Sequence, residues 1–154
     1  MAEYVIAKSC DVNSVRSLIR QTVKAEYPKY YGEAAVEFFL ELHNAVNIGS
    51  DVAQGNVRLL VADGEVVATG SVNGNHISRV FVTCGRLNCG YGSQIMDKLE
   101  EEAASAGISR IYLETSVPAK GFYLNRGYEV CGQECIELPK GEKLEYEIMS
   151  KRIK

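Results

Sequence analysis

The residues from His76 to Val82 (HISRVFV) read as a strand that leads through a loop into Gly90, Tyr91, Gly92 and Ser93. These open a helix whose apolar residues Ile95, Met96, Leu99 and Ala103 keep helical spacing. Such a turn suits an anion. The first N–H groups of a helix have no intrahelical partner, the helix dipole favours negative charge there, and glycine lets a phosphate approach the backbone. Gly90, Tyr91, Gly92 and Ser93 are therefore the expected donors to a phosphate-bearing ligand. A dinucleotide fold would need a third glycine, a parallel βαβ unit and an acidic residue about 20 positions on. Here the glycines follow an antiparallel meander and the third is missing, which removes that class.

Other chemistry is bounded by composition. Cys10, Cys84, Cys89, Cys131 and Cys135 contain no CxxC pair and are accompanied by only 2 histidines, so free thiols are expected rather than a disulfide framework, and no metal site. A chain of 154 residues, 46% hydrophobic and 24% charged, fits one ordered globular domain over residues 1–154. A net charge of −3 does not suit a protein that coats nucleic acid and mildly favours a cationic acceptor. No apolar run approaches the ~20 residues of a membrane span, and the N-terminus lacks the pattern of a signal peptide. A cytoplasmic protein with no membrane partner is expected, with a homodimer left open.

The elements that must position the glycine turn follow from periodicity and breakers. Tyr4 to Lys8 reads as a strand, followed by a helix with Asp11 as N-cap and Val12, Val15, Leu18, Ile19 and Val23 on one face. Pro28 and Gly32 interrupt the chain before a second helix carrying Val36, Phe39, Leu40 and His43, and residues 44–56 read as a loop. Val57 to Ala62 and Glu65 to Val72 are strands joined by an Asp63-Gly64 hairpin turn, and a further turn at Asn73 to Asn75 leads into the strand from His76. After the helix that stops near Gly107 come a strand from Arg110 to Glu114, a helix with Pro118 in its first turn, and strands at Tyr128 to Leu138 and Leu144 to Lys151. The order β α α β β β α β α β β predicts an α+β fold, a mixed and mostly antiparallel central sheet with helices on both faces.

The segment Ala119, Phe122, Tyr123, Gly127 and Tyr128 (AKGFYLNRGY), following Val82 and the Gly90-Tyr91-Gly92 turn at matching distances, resembles the GCN5-related N-acetyltransferase (GNAT) family. The likeness is strongest from His76 to Tyr128, and the element order fits the family over the whole chain. Two positions depart from its pattern: Leu87 stands where glutamine or arginine is usual, with Arg86 one residue away, and Ser116 stands where asparagine is often found.

The resemblance implies an N-acetyltransferase acting on acetyl-CoA and a primary amine. It implies that the strand ending at Val82 splays from its neighbour, so that main-chain groups of Val80, Phe81 and Val82 hold the pantetheine arm and supply an oxyanion hole. Leu87, Asn88, Cys89, Gly90, Tyr91, Gly92, Ser93 and Ser116 complete the implied cofactor contacts. Tyr123 matches the family's catalytic tyrosine, an acid for the leaving thiolate. His76 stands where several relatives carry a glutamate base, and imidazole is near neutrality at working pH. Glu114 and Ser78 are lesser candidates for the base, and His43 reads as structural. The first helix pair and its loop imply an acceptor wall of Tyr27, Tyr30 and Tyr31, with Glu26 and Glu33 drawing a cation. Two alternatives stay open: a thiol-mediated acyltransferase using Cys84 or Cys89, and an acyl-CoA-binding sensor without transfer activity.

Overall fold

The computed structural model describes residues 2–154. One seven-stranded sheet runs in the order β1-β2-β3-β4-β5-β7-β6. Its strands are β1 (Glu3–Ile6), β2 (Val57–Ala62), β3 (Glu65–Asn73), β4 (His76–Val82), β5 (Arg110–Thr115), β6 (Glu129–Glu137) and β7 (Lys143–Arg152). All neighbours pair antiparallel except β4 and β5. The helices are α1 (Val12–Glu26), α2 (Glu33–Leu42), α3 (Ala45–Ala53), α4 (Tyr91–Ser105) and α5 (Lys120–Asn125).

The expected α+β architecture is present, with helices on both faces of the sheet. One core joins Ile95, Met96, Leu99 and Ala103 of α4 and Tyr123 of α5 to Ala68, Ile77, Ile111, Leu113 and Met149. The other joins Val15, Leu18, Ile19 and Val23 of α1, Leu40 of α2, and Ile48 and Val52 of α3 to Leu59 and Phe81. Helices α1, α3 and α4 each contribute residues three or four apart, the stripe that faces a sheet. The Asp63-Gly64 turn closes β2 on β3 with φ of 52° and 77°, both positive as a two-residue hairpin of this kind requires.

Two expectations need correction. The segment 44–56 is not all loop: α3 begins after Asn44, whose side-chain oxygen accepts the Asn47 N–H at 2.8 Å, and buries Ile48 and Val52 one turn apart. Asp11 immediately precedes α1 but does not cap it; its carboxylate accepts the Lys8 N–H at 2.8 Å, closing the 3₁₀ turn that precedes the helix.

The feature that most shapes the site is a bulge in β4. Thr69 pairs with Phe81 and Ser71 with Ser78, so β4 spends three steps where β3 spends two. The extra residue re-aims the strand. Ile77, Val80 and Val82 pack toward α4, whereas Phe81 turns into the core under α1 and α2. Arg79 occupies the bulge at φ 54°, a left-handed conformation rare for a side chain of this kind. It is pinned from α2 and α3: Arg79 ion-pairs with Asp51 and donates to His43 Nδ1 at 2.8 Å.

Candidate active site

Because β4 bends at the bulge, it pairs with β5 only at His76 and Tyr112. Past that point the two parallel strands diverge, and the gap opens on a cavity of about 300 Å³. The cavity is bounded by Ile77 to Phe81 of β4, Leu113 to Ser116, Tyr27, α2, Tyr123 of α5 and the β6–β7 hairpin. A wider groove of about 690 Å³ along α1, β2 and β3 shares none of these residues; the splay is the candidate site because it gathers Tyr123, Glu114 and the open edge of β4.

On one side of the splay lies the start of α4. Gly90 precedes the helix at φ 83°, and Asn88 lies at φ 67°, so the loop enters the helix through left-handed residues. A Cβ on Gly90 would meet nothing within 4 Å, which makes the conformation rather than crowding the reason for glycine there. A Cβ on Gly92 would lie 3.4 Å from the Phe122 ring, so glycine lets α5 close on α4. Leu87, Asn88, Cys89, Gly90 and Ser93 are exposed, and Tyr91 and Gly92 are half-buried. Arg86 turns toward Glu65, 3.9 Å away. The aim of α4 is fixed from behind by Glu102, which takes a two-pronged ion pair from Arg58 at 2.7 and 2.9 Å and a hydrogen bond from the Tyr4 hydroxyl at 2.9 Å.

Of the expected catalytic pair, Tyr123 lines the cavity and His76 does not. Tyr123 is buried against Phe122 and Tyr128, with ring centroids 5.2 and 5.5 Å away, and lines the cavity. Burial first, then the nearby Tyr27, raises its pKa above the ordinary 10. Its phenol therefore stays protonated at working pH. His76 Nε2 lies 2.9 and 3.0 Å from the two oxygens of Glu114. Hydrogen bonding to Glu114 raises the His76 pKa against the opposing effect of partial burial. Glu114 and Ser78 line the cavity and His76 does not, so the carboxylate stands between imidazole and cavity. His43 is buried, and burial followed by the adjacent Arg79 lowers its pKa to about 3, which keeps it a neutral acceptor for Arg79 and fits a structural role.

Val80 and Val82 are half-buried beside α4 and Phe81 packs on His43 at 5.2 Å. The Val82 carbonyl accepts the Thr22 hydroxyl at 3.0 Å. Ser116 is half-buried, its hydroxyl 3.5 Å from that of Tyr27. Of the aromatic wall expected in the first helix pair, Tyr27 lines the cavity, while the Tyr31 hydroxyl accepts the Val117 N–H at 2.7 Å and Tyr30 is exposed. Glu26 is engaged by Lys29 at 2.9 Å and Glu33 is exposed outside the cavity. All five cysteines are free, Cys84 half-buried and the others exposed. Among the described residues no cluster of three or more histidine, cysteine, aspartate or glutamate side chains could hold a metal, and no helix is long and apolar enough to cross a membrane.

A family model for the acetyltransferase (GNAT) domain matches residues 26–138. The chain belongs to the GNAT acetyltransferase family. Among curated relatives, uncharacterized acetyltransferases of Streptococcus pyogenes serotypes M3 and M1 are 26% identical over 77 residues, 50% of this chain. The match spans 54% of their length. The GNAT fold extends over the whole chain. A GCN5-related N-acetyltransferase from Rhodopseudomonas palustris, also named as a class-II aminotransferase, superposes with TM-score 0.90 at 18% identity, covering 99% of this chain and 96% of that one. The PaiA N-acetyltransferase of Thermoplasma acidophilum, in complex with coenzyme A, superposes with TM-score 0.74 at 14% identity over 99% of both chains.

Part of this candidate site has no plain signal in the short-range sequence pattern. Arg79 and Asp51 escaped because one reads as an ordinary strand residue and the other fell in a presumed loop. The cavity wall from Ile136, Leu144 and Tyr146 escaped because nothing in those strands alone marks which face meets α2. A signal existed for Arg79: the spacing Ile77, Val80, Val82 breaks strand alternation at that residue, as a bulge does.

Proposed function

We propose that this chain, as a single domain over residues 1–154, transfers the acetyl group of acetyl-CoA directly to a primary amine. The observation that carries the reading is the divergence of β4 from β5 beside the start of α4. It frees main-chain groups of Val80, Phe81 and Val82 from a β5 partner, between an anion-suited turn and a cavity holding a protonated phenol and a carboxylate. Leu87, Asn88, Cys89, Gly90, Tyr91, Gly92 and Ser93 are assigned to the phosphate end of the cofactor and Ser116 to its pantetheine end.

In the transfer, a C–N bond forms between amine and thioester carbonyl carbon, the C–S bond breaks, one amine proton leaves and the thiol is released. A fixed backbone N–H of β4 facing the carbonyl oxygen stabilises the charge developing there, a contribution of about 3 kcal/mol in a dry site. Tyr123 donates to the departing sulfur. A thiolate of pKa near ~8.5 is less basic than this raised phenolate, so complete transfer is uphill and the hydrogen bond does most of the work. His76, which lies behind Glu114, accepts the amine proton through water or through the Glu114 carboxylate that orients its imidazole.

The test is acetyl-CoA-dependent thiol release over a panel of amines for wild type, Tyr123→Phe and His76→Ala. Tyr123→Phe is expected to lower kcat at least tenfold with little change in KM; unchanged kcat would remove its role. No thiol release with any amine, while acetyl-CoA still raises the melting temperature, would leave an acyl-CoA-binding sensor in place of an enzyme.

A further inference from the structure

The acceptor end of the cavity has a chemistry of its own. Its outer wall is built from Phe38 and Leu42 of α2 and Ile136, Leu144 and Tyr146 of β6 and β7. Leu42 is 45% exposed, and Phe38, Ile136 and Tyr146 are half-buried, so an apolar and aromatic surface lines the approach. Fixed charge is scarce. Arg79 is matched by Asp51, His43 is held neutral by burial, and Glu114 is the one carboxylate among the lining residues. A polycation would place its further ammonium groups against this hydrocarbon wall, at a desolvation cost that aromatic side chains and Glu134, paired with Tyr146 across β6 and β7, only partly offset. The volume of about 300 Å³, at the small end for ligand sites, is shared with the thioester end of the cofactor, which leaves the acceptor only part of it.

We propose, resting on the transferase reading above, that the acceptor is a small monoamine on a compact apolar or aromatic body, its body against Phe38, Leu42, Ile136 and Tyr146 and its nitrogen at Glu114. Glu114, which already holds His76 Nε2, has carboxylate lone pairs left for one ammonium group, and the wall supplies selectivity. Each methylene taken from water into such a wall is worth about 0.8 kcal/mol, roughly fourfold in kcat/KM, so a phenyl body should be preferred over a methyl group by about a hundredfold or more. Leu42 sets this preference from the rim, and being nearly half exposed and outside the buried core it accepts a polar replacement without disturbing that core.

The experiment compares kcat/KM for ethylamine, pentylamine, 2-phenylethylamine, spermidine, an aminoglycoside and a lysine-containing peptide, in wild type and Leu42→Asp. The expected result is at least a hundredfold preference for 2-phenylethylamine over ethylamine, cut tenfold or more by Leu42→Asp with KM for acetyl-CoA unchanged. Best turnover of spermidine, the aminoglycoside or the peptide, or a preference that Leu42→Asp leaves intact, would overturn the inference while the transferase reading stood. If no amine is acetylated, calorimetric titration of 2-phenylethylamine into the protein with coenzyme A decides separately. Binding weakened by Leu42→Asp would keep the assignment of the wall while the transferase reading fell, and absence of binding would end both.

Discussion

Removing Arg79 should expose how the bulge in β4 is held. Its side chain is 8% exposed and that of its partner Asp51 33%. Breaking a fully buried pair by deleting one partner costs about 3–5 kcal/mol, and an exposed pair is worth under about 1 kcal/mol. Here the charge left behind reaches water, so Arg79→Ala should lie between, near 2–3 kcal/mol, with the lost bond to His43 Nδ1 included. Arg79→Gly loses the same partners but relieves the left-handed backbone at φ 54°, for which a Cβ costs roughly 1–2 kcal/mol. The glycine variant should thus be about 1 kcal/mol more stable than the alanine variant, against the usual ranking of the two residues within a strand. Urea unfolding followed by circular dichroism measures both. For a chain of this size the alanine variant should also melt roughly 4–12 °C below wild type. An alanine variant within 0.5 kcal/mol of wild type, or a glycine variant no better than alanine, would refute the account of Arg79 as the residue that holds the bulge.

The His76–Glu114 pair should appear in the pH profile. Because Glu114 raises the His76 pKa, the rising limb of kcat/KM should lie above the ordinary histidine range, and Glu114→Gln should move it to lower pH; a limb that stays put removes His76 as the base. The same shift has a stability sign. The contribution of the pair, under about 1 kcal/mol for groups this exposed, is fully present below the unfolded histidine pKa near ~6.5 and is lost as pH rises through the folded value, which thermal melts across pH 5–9 would follow. Gly70→Ala would place a Cβ 2.6 Å from Leu99 Cδ1, between β3 and α4, and is expected to cost about 1–3 kcal/mol in urea unfolding; a neutral result would mean that Leu99 has room to move. Incubation with acetyl-CoA followed by gel filtration should leave no acetyl group on the protein, and label retained in wild type but lost in Cys84→Ser or Cys89→Ser would establish a thiol-mediated route instead.

Local signals were strong where one residue type answers one backbone need. The Asp63-Gly64 hairpin, Gly107 after α4 at φ 91° and the stripe of α1 all follow from short-range pattern, and the structure reproduces them. The segment 44–56 reads as a loop because its glycine, serine and asparagine content outweighs the signal of Asn44 as cap and of Ile48 and Val52 as a one-turn apolar pair. At the candidate site, the glycine turn before α4 and the place of Tyr123 in the cavity wall are the parts with a short motif around them. Arg79 and Asp51 acquire their roles only through contacts 28 to 36 residues apart in sequence, which composition and periodicity do not encode.

The single bridge between β4 and β5 has a consequence for how the molecule holds together. Strands β1 to β4 are drawn from residues 3–82 and β5 to β7 from residues 110–152, so the sheet is two leaves, each paired within itself and joined by one ladder contact and by side-chain packing. Such leaves are natural units of local opening, each exchanging its amide hydrogens at its own free energy. A ligand lying between them and bonding to the free edge of β4 acts as the missing rungs. Its binding should slow exchange in both leaves together, including amides far from any contact with it.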